Sequence, residues 1–128
     1  MRFMMFMLPN IEPTEWMPSA EAVAEMTKYN EQLAQAGVLL ALDGLHAPDE
    51  GVRVTFAPSG AATVTDGPFT EAKEMIGGYW LIDVKSKEEA VEWAKRVPQD
   101  NCSIEVRQIY EIEEFPPDVQ AAAGEFKL

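Results

Sequence analysis

The stretch RFMMFML, residues 2–8, decides the fold. It is bounded by Pro9 and Asn10, and its length suits a strand rather than a helix. Alternation places Phe3, Met5 and Met7 on one face and Met4, Phe6 and Leu8 on the other. Both faces are apolar, so both need cover. Helices of the same chain can cover one face. The other needs something else.

Moving outward, MPSAEAVAEMTKYNEQLAQAG (residues 17–37) reads as a helix with Ser19 as its N-cap. Ala22, Met26, Tyr29, Leu33 and Ala36 form its apolar stripe, and Gly37 suits the residue just past its end. VLLALDGL (residues 38–45) reads as a buried strand leading into the loop His46-Ala47-Pro48. GVRVTF and AATVTD alternate on either side of APSG, which predicts a hairpin. DGPF (residues 66–69) turns the chain, TEAKE (70–74) suits one helical turn, and GGYWLIDV (77–84) is the next strand. Tyr79, Leu81 and Asp83 share one face of it; Trp80, Ile82 and Val84 share the other. SKEEAVEWAKRVP (86–98) carries a Ser86–Glu89 capping box, a stripe of Ala90, Ala94 and Val97, and a terminating Pro98. CSIEVRQIY (102–110) alternates as a last strand. The acidic, Pro-containing tail, about 111–128, is expected to lie along the surface or fray.

The order is β-α-β-β(hairpin)-β-α-β. It predicts an α+β, ferredoxin-like domain over residues 1–128, an antiparallel sheet with both helices on one face. The far face would then be bare and apolar. Large apolar surfaces rarely stay exposed on soluble monomers. A second copy packed sheet to sheet about a two-fold axis is the simplest cover, so a homodimer is expected.

Composition narrows the partners. The chain has 128 residues and a net charge of −12, from 22 acids against 10 bases. That charge repels nucleic acid and anionic membranes, so neither is expected as a partner. No stretch approaches the ~20 apolar residues of a membrane span. The apolar start ends at Leu8 with no small-residue cleavage site after it, so it is read as a strand rather than a leader, and a cytoplasmic protein is expected. The single cysteine, Cys102, excludes an internal disulfide and reads as a buried small hydrophobe. No metal-ligand spacing and no cofactor motif is evident. Gly77-Gly78 enters a strand rather than a helix, so it is no phosphate loop.

The run DGPFTEAKEMIGGYWLIDVKSKEEAVEWAKRVP, with the helix region MPSAEAVAEMTKYNEQLAQAGVLLALDGLHAP and the strand IEVRQIYEIEEF, resembles the DGPF-type branch of the YCII-related proteins. The likeness covers roughly Met1 to Phe115. It implies a dimeric α+β barrel. It also implies a link to the muconolactone-isomerase-like group, with a histidine–aspartate pair for acid–base work. Members are often encoded beside sigma factors of the extracytoplasmic-function type, which points to regulation.

Candidate residues follow. His46 is the sole histidine, and a histidine's ordinary pKa of about 6.5 suits proton transfer near neutrality. The alternative is a loop histidine packed on Pro48. Asp66 is the candidate orienter of His46, although an aspartate before Gly-Pro commonly just opens a turn. Tyr79, Asp83 and Arg107 are the candidate substrate-binding residues. Asp83 would pair with Arg107 or His46, or end its strand at the rim; Glu105 and Arg107 share a face and suit an ion pair across a dimer interface, or an anion site. Three functions remain open: a small acid–base enzyme acting on a small polar metabolite, a non-catalytic ligand-binding or regulatory module, and a purely structural dimerisation domain.

Overall fold

The computed structural model describes residues 1–67 and 75–125. The helical turn expected over 70–74 lies outside the described residues, as do Pro68 and Phe69 of DGPF.

Strands β1 (Arg2–Pro9), β2 (Leu39–Gly44), β5 (Gly78–Asp83) and β6 (Cys102–Gln108) form one sheet in the order β2-β5-β1-β6. Every neighbouring pair is antiparallel. Helix α1 (Ala20–Gln35) follows β1, and α2 (Lys87–Lys95) follows β5. This is the ferredoxin-like α+β plan. Strands β3 (Val52–Phe56) and β4 (Ala62–Asp66) form a separate two-stranded sheet. The tail carries a short helix, α3 (Pro117–Ala123), at the surface.

Alternation in β1 places its residues as expected. Phe3 and Met5 point to the helices and are 1% and 0% exposed. They join Trp80, Ile82 and Val84 of the β5 segment, Tyr29 and Leu33 of α1, and Ala90 and Trp93 of α2 in one core. Tyr29 packs edge-on against the rings of Trp80 and Trp93. Its hydroxyl donates to the Trp93 carbonyl at 2.7 Å, so the buried polar atom is satisfied. Burial pushes the Tyr29 phenol up to about 12, against a smaller opposing effect of Arg96. The Trp80 indole donates to Asn30 Oδ1 at 2.8 Å.

The stripes were only partly as expected. In α1, Tyr29 and Leu33 are buried and Met26 packs against the core, but Ala22 and Ala36 are exposed. In α2, Trp93 is the main core residue alongside Ala90, whereas Ala94 and Val97 are only partly buried. A helix resting on a sheet buries a narrower stripe than its apolar periodicity suggests. Ser19 caps α1 by accepting from Ala22 N–H at 3.1 Å, and Gly37 adopts φ +76° just beyond its C-terminus. Ser86 caps α2 by accepting from Glu89 N–H. The Glu89 carboxylate reaches back to the Lys85 N–H rather than to that of Ser86, so the box is one residue wider than its sequence form.

Strand β2 carries a register shift between Leu39 and Ala41, and Leu40 is left half-exposed at the sheet edge.

Candidate functional site

Among the described residues, the side of the four-stranded sheet away from α1 and α2 contributes nothing to the buried core. Cross-strand rows fix its layout: Arg107, Met4, Leu81 and Ala41 lie side by side, and so do Glu105, Phe6, Tyr79 and Asp43. Met4, Phe6 and Leu81 are half-buried. An apolar centre therefore sits between polar groups at the two edges.

At the β2 edge the Tyr79 hydroxyl donates to Asp43 Oδ2 at 2.8 Å. This hydrogen bond, then partial burial and the aspartate's charge, raise the Tyr79 phenol above its ordinary range. Tyr79 and Trp80 are neighbours in sequence yet serve opposite faces: Trp80 is core, and Tyr79 faces the open side. At the β6 edge Glu105 and Arg107 are exposed. Neither side chain has a hydrogen-bond or ion-pair partner among the described residues.

Asp83, the last residue of β5, receives the Met1 amino group at 3.0 Å. The same amine donates to the Val84 carbonyl at 2.8 Å. The expected partners of Asp83, Arg107 or His46, are thus replaced by an α-amine that β1 delivers to the strand end. Beside it, Arg2 grips Glu111 through Nε to Oε1 at 2.7 Å and Nη2 to Oε2 at 3.0 Å. The Arg2 hydrogen bond holds the Glu111 carboxyl below its usual range, and the Arg2 guanidinium is raised in return.

His46 lies in the loop after β2. Its Nδ1 is 3.2 Å from Glu50 Oε2, four residues on, where a 3-10 turn over Pro48–Glu50 brings the carboxylate back. The two side chains are 87% and 61% exposed, so this pair stands on the surface and not in a cleft. Asp66 ends β4, is exposed, and has no side-chain partner among the described residues. The carboxylate that meets His46 is therefore Glu50, not Asp66. Glu50 was legible as an i+4 acid, but helix-like spacing is not expected of a loop containing proline.

The glycine after Asp66 does bring the two segments together. A Cβ on Gly67 would collide with the Pro48 carbonyl oxygen and stand 2.9 Å from Asp49 Cα. Gly67 N–H donates to the Gly51 carbonyl at 3.0 Å. Only a residue without a side chain at position 67 lets the chain just past β4 lie flush on the turn that carries Glu50. Gly77 and Gly78 serve the same purpose. Added Cβ atoms would lie 3.0 Å from the Pro9 ring and 2.9 Å from the Asp43 carbonyl oxygen. The double glycine is a close-packing device at the mouth of β5. Trp16 closes this corner, its indole donating to the Leu45 carbonyl at 3.0 Å.

Elsewhere, an open depression of about 310 Å³ is lined by Leu8, Asn10, Asn101, Cys102 and Ser103. None of the candidate residues lines it. Cys102 is half-buried rather than fully buried; burial and then Asp100 push its thiol up, which favours the protonated form. Among the described residues no cluster of His, Cys, Asp and Glu could hold a metal ion. No described helix is long and apolar enough to cross a membrane.

A ferredoxin-like sheet with one bare face, antiparallel throughout and helix-backed, defines the structural class. The YCII-related domain model matches residues 1–114, and the chain belongs to that family. An uncharacterised protein of Rhizobium meliloti (strain 1021) is 42% identical over 45 residues. That match spans about a third of each protein, 35% of this chain and 36% of the relative.

Proposed function

We propose that this YCII-related chain belongs to the DGPF branch and works in the cytoplasm as a homodimer. Two copies pack sheet to sheet about a two-fold axis, as a dimeric α+β barrel, and hold a small organic anion between their polar edges. The observation that carries this reading is the open face. Its centre is apolar at Met4, Phe6 and Leu81, which lie outside the helix-backed core. Self-packing removes that centre from water. It leaves Tyr79–Asp43 at one edge and Arg107 at the other. Arg107 has no side-chain partner among the described residues, and a guanidinium in that state suits a carboxylate-bearing ligand. On this reading Tyr79 and Arg107 bind the ligand, and Asp83 is occupied by the Met1 amine.

The His46–Glu50 hydrogen bond favours a second reading, acid–base catalysis on the same ligand. Glu50 then takes the orienting role expected of Asp66, and His46 moves the proton. Native mass spectrometry tests the first reading. The expected result is a two-chain mass with a small-molecule adduct that Arg107→Ala removes. A one-chain mass at micromolar concentration would sink the reading. His46→Ala separates the two: ligand retention survives it under either reading, and turnover of the identified ligand is lost only under the catalytic one.

A further inference from the structure

The β3–β4 hairpin is the least explained part of the molecule. Its register pairs Val52 with Asp66, Val54 with Val64, and Phe56 with Ala62. Those residues share one face. Arg53, Thr55, Thr63 and Thr65 share the other. The hairpin is thus amphipathic, with a β-branched and aromatic face as clear as that of any half-buried sheet. Yet no described element covers it: Val52, Val54, Phe56 and Val64 are 62%, 48%, 69% and 66% exposed. An isolated two-stranded hairpin is marginal in water, so a well-patterned one implies cover.

We infer that the hairpin is a dimerisation arm whose Val54–Phe56–Val64 face closes on a second copy of this chain, beside the sheet-to-sheet contact. This rests on the homodimer proposed above. Two arguments select a second copy as the occupant. The first is area. From strand spacing and rise, the open sheet face measures ~20 by ~19 Å, on the order of 400 Å². A standard interface takes ~800 Å² from each partner. The sheet alone falls short. The hairpin face adds on the order of 160 Å² that is apolar almost throughout, which narrows the shortfall to ~240 Å². Leu40 in β2, Leu45 just after it and Ile76 just before β5 are further exposed apolar side chains.

The second argument is charge. At −12 per chain, two copies repel unless they meet where carboxylates are absent. The hairpin face holds one acid, Asp66, at its base, and none at Val54, Phe56, Ala62 or Val64. A basic partner would call for the opposite, an acidic face.

The test compares the natural chain with the triple variant Val54→Thr, Phe56→Ser, Val64→Thr. These positions lie outside the helix-backed core, so near-UV circular dichroism should be unchanged. Sedimentation velocity across a dilution series should show the dimer dissociation constant raised about tenfold or more in the variant. Hydrogen exchange of residues 52–66 in the natural chain should slow where the chain is dimeric and quicken where it is monomeric. An unchanged dissociation constant, or exchange at 52–66 that ignores assembly, would overturn the arm while leaving the sheet dimer standing. The hairpin face would then be open to a partner of another kind. A chain that stays monomeric at every concentration would overturn both proposals.

Discussion

The four-stranded sheet and the β3–β4 hairpin follow the same rule of alternation and meet different fates. In the sheet, every second residue of β1 and β5 finds a helix above it, and Phe3, Met5 and Ile82 are essentially without solvent contact. In the hairpin, every second residue stays exposed, Phe56 at 69%. Alternation therefore tells which residues share a face. It does not tell what the face will touch. Cover comes from elements distant in sequence: α1 and α2 return over the sheet because each links two of its strands, whereas the hairpin is an excursion between β2 and β5 that no described α-helix accompanies.

The contrast can be broken most forcefully in the core. Ile82→Ala should cost about 2–5 kcal/mol of folding stability, read by urea unfolding. A cost below about 1 kcal/mol would mean that the helix-backed face is looser than its burial indicates. Next comes the root of the hairpin. Gly67→Ala forces a methyl group into the Pro48–Asp49 backbone and should cost on the order of 1–3 kcal/mol. It should also shift the His46 imidazole resonances, because the turn below them must move. Unperturbed resonances would show that the two turns are not in contact in solution.

Smaller effects sharpen the comparison. Val64→Thr, measured on the dissociated chain, should change stability by no more than about 0.5 kcal/mol, in contrast to Ile82. A larger loss would reveal intramolecular cover for the hairpin. The smallest effect is pH-dependent. The Glu111 carboxyl, held by Arg2 below its ordinary value of 4.5, stabilises the fold above that pH. The contribution disappears as pH falls through the depressed folded value. Glu111→Gln should therefore lower stability slightly at neutral pH, leave it nearly unchanged below the depressed folded value, and so flatten the acid limb of the stability profile.

Much of the architecture was readable from residues alone. The two apolar faces of RFMMFML, the Ser19 and Ser86 caps and the Tyr79/Trp80 split all describe local physics, and all appear in the structure. The site was less legible because its contacts are long-range or depend on loop geometry. Nothing in YWLIDV foretells that Asp83 meets the Met1 amine, a contact that needs the β1–β5 register. Nothing in GLHAPDE foretells that a 3-10 turn will fold Glu50 back to His46. The close-approach glycines were half legible. The sequence excluded a phosphate loop at Gly77-Gly78 but could not show which backbone would press against them.

The placement of the tryptophans has a practical consequence. Trp80 and Trp93 sit in the core around Tyr29, at fixed edge-on angles, and the Arg96 guanidinium lies 4.2 Å above the Trp93 ring. Trp16 instead is tethered to the Leu45 carbonyl, one residue from His46. The chain thus carries two optical reporters that need no label: a rigid, chirally coupled aromatic trio for global unfolding, and a separate indole whose emission follows the loop beside the histidine.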